Sequence, residues 1–295
     1  MTDTGNTTGF IGIGAMGMAM AKNLHRRGFA VAVRDIRIEA EQEAASLGMV
    51  ACASPSALAA CSDLIVIVVV NAQQISDVLS GDGGLLHADL RGKTVMLCST
   101  IAPEDTIRFA HALAAHGAAT IDAPISGGPG RAEAGTMSMM LAADNHLLRR
   151  HERVLAALSD KQFRISETVG DGAKTKLVNN LLAGINLAAG AEALALGMKI
   201  GLEPHKLFEV ICASSGHSWI FQDRMARALQ DDFAPRAFAH ILTKDVTLAT
   251  VMADAAGYAT PLGDAALAVF RRTVEAGFSE LDDAAVIKTY LKEDA

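Results

Sequence analysis

The chain has 295 residues, of which 51% are hydrophobic, and a formal net charge of −7. This length allows two domains with sizeable cores. The acidic balance argues against a nucleic-acid partner, because the scattered basic residues form no patch that would neutralise phosphates.

The four cysteines show neither a CxxC pair nor the spacing of a metal site. We therefore expect buried free thiols in a reducing cytosol and no bound metal. Residues 1–7 lack the basic and apolar segments of a signal peptide, and asparagines interrupt the most apolar stretch. These features predict a cytoplasmic protein without a membrane partner.

The N-terminal segment has the pattern of a dinucleotide-binding unit. A short apolar strand runs into a G-x-G-x-x-G motif at residues 12–17, and a helix over 18–27 and a second strand over 29–34 follow. The first glycine permits a tight turn, the second lets backbone approach a pyrophosphate, and the third lets the helix pack on the strand. A glycine turn in an unrelated α/β domain is disfavoured by this order of elements. The candidate cofactor contacts are Gly12, Ile13, Gly14, Ala15, Met16 and Gly17.

The second strand ends in Arg34 and Asp35. An acid at this point accepts hydrogen bonds from the adenosine ribose hydroxyls and repels a 2′-phosphate. This favours NAD over NADP. Arg34 and Arg37 weaken the argument, because a neighbouring arginine could pair with that phosphate.

Two further strands end in polar residues. The β-branched run 64–70 leads to Val70 and Asn71, and the strand over 94–98 leads to Ser99 and Thr100. Polar residues at the carboxyl ends of parallel strands lie where open α/β sheets bind ligands. We take Val70, Asn71 and Thr100 as candidate cofactor contacts, while helix capping is an equally good explanation of Asn71, Ser99 and Thr100.

The strand over 120–123 is followed by Ser126, Gly127 and Gly128. Successive backbone N–H groups beside a hydroxyl suit a carboxylate, although glycine clusters are usually flexible turns. A strand over 137–142, a helix over 144–158 and a short edge strand over 163–165 complete the first domain. The predicted fold class is thus α/β, a Rossmann-type doubly wound parallel sheet in residues 1–165, followed by an all-α domain in residues 166–295.

The all-helical domain is predicted to be built on one long helix over 173–200. Lys176 and Asn180 share a face of this otherwise apolar helix, which is unusual for a core helix. A salt bridge or a hydrated patch at the domain boundary is the alternative. The length of the apolar helix predicts a homodimer or homotetramer.

Further helices follow this long one. We predict a helix from 204, a polar loop over 214–221, a helix that carries Phe238, Lys244 and Asp245, and two helices over 248–256 and 262–276. A short C-terminal helix ends the chain. The polar loop contains His217 and Trp219. Without a functional role, His217 would be a hydrogen-bond donor at the surface and Trp219 an aromatic residue of the core.

Four motifs together resemble the β-hydroxyacid dehydrogenase family along essentially the whole chain. They are GFIGIGAMGMAMAKNL, DAPISGGPGRAEAGTM, GDGAKTKLVNN and LTKDVTLA. The stretch SSGHSWIFQDRMARALQDDFAPR is most similar to the L-threonate dehydrogenase branch. Several members of the family have a phenylalanine seven residues before the cofactor lysine. This chain departs from that pattern, because the position is occupied by Ala237 and Phe238 lies beside it.

The resemblance implies a role for each matching position. Lys176 matches the catalytic lysine and Asn180 the asparagine that assists it. Thr100 matches the threonine beside the nicotinamide. The loop Ser126–Gly128 matches the one that holds the substrate carboxylate, and Lys244 matches the lysine that reaches the cofactor. The expected substrate-binding residues are Ser126, Gly127, Gly128, Asn180, Phe238 and Asp245, together with His217 and Trp219, because the polar loop over 214–221 could recognise distal hydroxyls of a sugar acid.

The expected activity is hydride transfer between NAD and a small hydroxy acid, with Lys176 as general acid and base. Burial near a helix N-terminus would lower the pKa of such a lysine toward the working range. Polar residues in the 214–221 loop favour a threonate-like sugar acid, and the substrate pocket is expected between the domains. A 3-hydroxyisobutyrate dehydrogenase or a semialdehyde reductase is the alternative within the family. An imine reductase or a non-catalytic nucleotide-binding scaffold is the alternative of another class, and the presence of Lys176 argues against both.

Overall fold

A computed structural model describes residues 7–291 of the chain. Most of segment 1–7, which lacks a signal-peptide pattern, therefore lies outside the described residues. The chain divides into two compact units, one that ends at Lys176 and one that begins at Leu177. The sequence predicts a boundary near residue 165, whereas the contacts place the start of the long helix in the first unit.

The first unit is built on a nine-stranded sheet with the order β3-β2-β1-β4-β5-β6-β8-β7, in which β9 also pairs with β8. The pairs from β3 to β6 are parallel, as is β8 with β9, whereas β6 and β7 each pair antiparallel with β8. Buried residues cover both faces of the sheet and form two clusters, as expected for a doubly wound fold. The strands are β1 (Thr8–Ile11), β2 (Val31–Arg34), β3 (Val50–Ala51), β4 (Leu64–Ile67), β5 (Thr94–Leu97), β6 (Ala119–Asp122), β7 (Ile125–Ser126), β8 (Ser138–Ala142) and β9 (Lys161–Ser166).

The predicted strand over 64–70 is three residues too long. β4 pairs with β1 in the register Ile11↔Ile67. Gly12 then turns away with φ of +84°. Since β1 ends there, β4 loses its partner and residues 68–70 leave the sheet. They lie at the carboxyl edge of the sheet, where ligands bind.

Helices flank the sheet of the first unit. The predicted helix over 144–158 is two helices, because His151 interrupts it with φ of −106° and ψ of 13°. The His151 ring is buried and its Nε2 lies 2.7 Å from Oγ1 of Thr94. The helices are α1 (Ala15–Arg26), α2 (Ile38–Ser46), α3 (Pro55–Ala60), α4 (Ala72–Ser80), α5 (Pro103–Ala115), α6 (Gly128–Ala134), α7 (Asn145–Arg150) and α8 (Glu152–Leu158), with a 3-10 turn at Leu85–His87.

The second unit is helical. Trp219 begins a helix instead of lying in the predicted polar loop, because Oγ of Ser218 accepts from the Phe221 N–H at 3.2 Å and starts the helix there. The helix predicted to carry Phe238, Lys244 and Asp245 and the helix predicted over 248–256 form one helix, and Phe238 lies just before its first residue. The helices are α9 (Asp171–Lys199), which begins in the first unit, α10 (Pro204–Cys212), α11 (Trp219–Ala228), α12 (Ala239–Ala255), α13 (Pro261–Thr273) and α14 (Val286–Leu291), with a π turn at Val274–Phe278 and a 3-10 turn at Asp283–Ala285.

The long helix α9 is only partly covered within one chain. Leu187 and Leu194 are buried, whereas Val178, Leu182 and Leu196 are 58–60% exposed. These three exposed residues lie along one side of the helix, because spacings of four and eighteen residues return to nearly the same face. By length and composition alone α9 could cross a membrane, but the core helix of a soluble protein meets the same criteria.

The expectation of buried thiols is correct for Cys98 alone. All four cysteines are free, Cys61 is exposed, and Cys52 and Cys212 are partly exposed. Cys61 directly follows the last residue of α3.

Candidate active site

The glycine motif forms a tight turn between β1 and α1. A Cβ on Gly12 would lie 2.5 Å from the Val68 carbonyl oxygen, and one on Gly17 would lie 2.0 Å from the Gly12 carbonyl oxygen. Neither position admits a side chain. A Cβ on Gly14 would meet only Nη2 of Arg37, at 4.0 Å. Backbone at the N-terminus of α1 is therefore accessible to an anion, as a dinucleotide phosphate requires.

Asp35 is buried and its carboxylate supports the glycine loop. Oδ2 accepts from the Ile13 N–H at 2.7 Å, and Oδ1 accepts from the Arg37 N–H at 2.9 Å. The Arg37 side chain contacts Oδ1 of Asp35 through Nε at 3.2 Å and donates to the Ile13 carbonyl oxygen. Arg34 pairs with Glu41 at 2.7 Å. Both arginines thus already face carboxylates, which reduces the positive charge available to a 2′-phosphate.

The ends of β4 and β5 are linked by Ser99. Its buried hydroxyl accepts from the Val69 N–H at 3.0 Å. Neither Ser99 nor Thr100 caps α5, which begins after Ala102 without a side-chain cap. Asn71 does cap α4, through the Gln74 N–H at 2.9 Å. Val70 is 41% exposed beside it.

The loop after β6 carries the proposed carboxylate-binding residues. Ser126 ends β7, opposite Ser138. Gly127 and Gly128 adopt φ of +133° and +76°, which side-chain-bearing residues avoid. A Cβ on Gly128 would meet nothing within 4 Å. The loop therefore presents a partly buried hydroxyl and accessible backbone at the start of α6.

Lys176 lies in the second turn of α9 and is 7% exposed. The start of this helix is held by Asp122, which the sequence analysis did not single out. Oδ2 of Asp122 accepts from the Gly170 N–H at 2.8 Å and from the Ala173 N–H at 3.1 Å. The only indication in the sequence was an acid at the end of a buried strand, four residues before Ser126.

Asn180 and Asp245 meet within the second unit. Nδ2 of Asn180 donates to Oδ2 of Asp245 at 2.7 Å, and Oδ1 of Asp245 lies 2.7 Å from Nζ of Lys244. Oδ1 of Asn180 accepts from Nδ2 of Asn179 at 3.1 Å. Asn180 and Asp245 are both buried. Three of the residues predicted from the sequence therefore form one hydrogen-bonded and ionic chain.

The remaining candidates lie at helix starts in the second unit. His217 is exposed and its Nε2 lies 2.9 Å from Oε1 of Gln222. Trp219 is 48% exposed, with Cζ of Arg224 6.0 Å from its ring centre. Phe238 precedes α12 and stacks on His240 at 5.2 Å.

A buried carboxylate fixes the backbone before Phe238. Oδ2 of Asp282 accepts from the N–H groups of Arg236 and Ala237 at 2.9 and 3.2 Å. Oδ1 of Asp282 pairs with Arg227 at 3.0 Å. The backbone at Ala237 is therefore held in place by a network of hydrogen bonds and an ion pair that could not be predicted from the sequence.

The residues of the first unit fit a dinucleotide cofactor. The accessible glycine loop, the acid at the end of β2 and the polar strand ends lie at the carboxyl edge of the sheet. A surface cavity of about 390 Å³ adjoins the loop and is lined by residues that include Ile13, Gly14, Ala15 and Arg37. No group of three or more metal-ligating side chains occurs within residues 7–291.

Comparison with known proteins gives matches along the whole described chain. Residues 7–170 match the family described as the NAD-binding domain of 6-phosphogluconate dehydrogenase. Residues 170–290 match the family described as NAD-binding of NADP-dependent 3-hydroxyisobutyrate dehydrogenase.

Individual proteins are similar over nearly their full length. L-threonate dehydrogenase of Cupriavidus necator is 40% identical, over 96% of this chain and 95% of that protein. 3-Hydroxyisobutyrate dehydrogenase of Pseudomonas aeruginosa is 36% identical, over 97% and 98%. The crystal structure of 3-hydroxyisobutyrate dehydrogenase from Salmonella typhimurium superposes with a TM-score of 0.89 at 35% identity, over 96% of this chain and 99% of that one.

Proposed function

The chain belongs to the family of NAD-dependent hydroxyacid dehydrogenases that includes the 3-hydroxyisobutyrate and L-threonate enzymes, and we propose that it oxidises a threonate-like sugar acid with Lys176 as general base. The observation that carries the role of Lys176 is its burial one helical turn before Asn180, whose amide is held by Asp245. A lysine and an oriented amide are costly to bury on one face of an apolar helix, and titratable groups in such surroundings cluster at functional sites.

In this proposal the chain's own residues position the substrate and move one proton. The N–H groups and hydroxyl of Ser126–Gly128 bind the substrate carboxylate, which orients the carbinol carbon. Nζ of Lys176 takes the hydroxyl proton during oxidation and returns it during reduction. The Asn180 amide orients the reacting oxygen. The bound NAD supplies the hydride chemistry.

The preference for a sugar acid rests on the segment before α11. Ser215 and His217 are exposed, and Ser218 lies at the start of the helix. A branched-chain acid without distal hydroxyls would need an apolar wall instead. The similarity to an L-threonate dehydrogenase at 40% identity supports the same choice. A 3-hydroxyisobutyrate dehydrogenase is the second candidate, supported by the relative that is 36% identical.

A substrate screen tests the proposed function. The purified protein is assayed for NAD⁺ reduction at 340 nm with L-threonate, 3-hydroxyisobutyrate, glycerate and 4-hydroxybutyrate, and in reverse with the semialdehydes. We expect the highest kcat/KM with L-threonate. A higher value with 3-hydroxyisobutyrate would select the second candidate. Reduction of a cyclic imine without activity on any hydroxy acid would overturn the proposal, and so would NAD binding without turnover of any of them.

We also propose that the protein is a cytoplasmic homodimer or homotetramer, with residues 166–295 forming the substrate and oligomerisation domain. The exposed apolar side of α9, with Val178, Leu182 and Leu196, supports self-association because a second copy would remove this surface from water. Sedimentation equilibrium of the wild type and of Leu196→Glu tests this. A monomeric wild type would contradict it.

A further inference from the structure

The Asp122 carboxylate joins two segments that the proposed reaction uses. It is 1% exposed and accepts from the Gly170 and Ala173 N–H groups at the start of α9. Asp122 lies four residues before Ser126, and Ala173 lies three residues before Lys176. One side chain therefore connects the proposed carboxylate-binding loop to the helix turn that carries the proposed base. All these residues belong to the first unit.

The contact is tight and leaves no room for adjustment. A Cβ on Gly172 would lie 2.9 Å from Cγ of Asp122 and 2.9 Å from the Met140 carbonyl oxygen. The helix start can approach β6 this closely only because residue 172 is glycine. A shift of about 1 Å in a catalytic group can cost up to about 100-fold in rate, so such a rigid contact matters for Lys176.

Burying a carboxylic acid at this position is costly in free energy. The carboxylate accepts from the N–H groups of Gly170, Gly172 and Ala173, whereas a serine or an asparagine has only one acceptor oxygen and could not accept from all three. Burial raises the pKa of the Asp122 carboxyl to about 6, although the N–H donors oppose the rise. Above that pH the side chain carries a negative charge near the first turns of α9. The other ionisable groups that act on it are Asp171 on the same helix and Cys98 at the end of β5.

We propose that Asp122 is a positioning residue: it holds the first turn of α9, and with it Lys176, in place relative to the 126–128 loop. This inference rests on the proposed role of Lys176. Asp122 itself contacts backbone and touches neither substrate nor cofactor.

The test uses Asp122→Asn, with Asp144→Asn as the matched control. Asp144 also accepts from two N–H groups at a helix start, those of His146 and Leu147, but at α7. We expect Asp122→Asn to lower kcat between about 10- and 100-fold, with little change in the KM for NAD⁺. The control should lower only thermal stability.

A second variant perturbs the same contact and remains informative if Asp122→Asn does not fold. Gly172→Ala pushes a methyl group against the carboxylate. It should lower kcat with little change in the KM for NAD⁺. Wild-type kcat in both folded variants would overturn the positioning role alone, provided that Lys176→Ala is inactive. Full activity of Lys176→Ala would instead overturn the proposed function.

A separate observation concerns two thiols in the first unit. Sγ of Cys52 and Sγ of Cys61 lie 3.8 Å apart. Cys52 follows β3, where its N–H donates to the Val33 carbonyl oxygen at 2.9 Å, and Cys61 ends α3. Both ends of the intervening segment are therefore fixed by secondary structure. Bond formation requires the sulfur atoms to approach to about 2.05 Å from this distance.

The geometry points to Cys52 and Cys61 as a site of reversible disulfide formation with hydrogen peroxide as oxidant. The exposed Cys61 thiolate attacks peroxide, which forms a sulfenic acid and releases hydroxide. The Cys52 sulfur then attacks the Cys61 sulfur, and the disulfide forms with loss of water. Burial raises the pKa of the Cys52 thiol to about 11, and Cys61 is the more exposed of the two thiols, so peroxide reaches Cys61 first. A dithiol reverses the bond by exchange.

Intact mass spectrometry after peroxide treatment tests this site. We expect a loss of about 2 Da, two hydrogen atoms, that dithiothreitol reverses, and a tryptic link between the two cysteines. Cys52→Ser and Cys61→Ser should each abolish this loss, whereas Cys212→Ser, which alters a thiol in the second unit, should retain it. Addition of about 16 or 32 Da to the wild type without the link, or no reaction, would overturn the assignment.

Discussion

Nδ2 of Asn180 donates to Oδ2 of Asp245 at 2.7 Å, and this hydrogen bond joins α9 to α12. The other oxygen of Asp245 lies 2.7 Å from Nζ of Lys244. The buried carboxylate restrains both neighbours, and for the buried Asn180 amide the loss of this partner is costly. The family resemblance predicts Asp245 as a substrate contact, and its geometry supports a role through Asn180 and Lys244 instead.

Replacing Lys176 should remove most of the activity. Lys176→Ala is expected to lower kcat by at least about 100-fold, since general acid–base catalysis contributes roughly 10²–10⁴-fold. Lys174→Ala is the matched control, because Lys174 lies two residues earlier on the same helix and its exposed side chain pairs with Asp171 at 2.9 Å. Steady-state kinetics with the best substrate measure both. Near-normal kcat in Lys176→Ala would exclude it as the general base.

Loss of the Asp245 carboxylate should affect the same step. Asp245→Ala leaves the Asn180 amide and the Lys244 ammonium without this partner, and we expect kcat/KM to fall about 10- to 100-fold. Asp254→Ala, an exposed position later on α12, should have no comparable effect. Circular dichroism establishes that both variants fold. Equal kinetics in the two variants would contradict the assigned role.

Cofactor choice should depend on Asp35. Asp35→Ser removes the charge that repels a 2′-phosphate and releases Arg37 from its pairing at 3.2 Å. We expect the KM for NAD⁺ to rise about 10-fold and kcat/KM with NADP⁺ to improve. Parallel assays with the two cofactors measure this change. A wild type that already prefers NADP⁺ would show that Asp35 does not select NAD.

The His151 ring should make the protein sensitive to acid. Burial lowers the pKa of His151 to about 4, from an ordinary value of 6.5. Above pH 6.5 the ring is neutral in both states, so its contribution to stability is complete. As the pH falls toward 4, the unfolded chain binds a proton that the folded chain does not, and about 3 kcal/mol is lost.

Urea unfolding between pH 7.5 and 4 measures this loss. His151→Gln should flatten the dependence of the unfolding free energy on pH over this range, although its stability at pH 7.5 is lower. His146→Gln alters an exposed histidine on the adjacent helix and should leave the dependence unchanged. The same slope in His151→Gln as in the wild type would contradict the assignment.

Short-range patterns determined the architecture. The spacing of Gly12, Gly14 and Gly17 between a strand and a helix predicted the dinucleotide-binding unit, because each glycine satisfies a local steric requirement of the turn, the phosphate or the helix packing. Helical periodicity by itself places Lys176 and Asn180 on one face. The ends of strands and helices were predicted less well. The strand that leads to residues 68–70 ends where its neighbouring strand ends, and the helix break at His151 depends on the buried partner of the ring.

Only the tertiary structure revealed the groups that hold these residues in place. Asp122 contacts Gly170 across 48 positions of the chain, and Asp245 contacts Asn180 across 65. Local propensity contains no information on such pairs, because they form only when packing brings distant segments together. The thiol contact between Cys52 and Cys61 arose in the same way. The sequence alone thus predicted which groups react, whereas packing decided which buried carboxylates hold the segments that carry them.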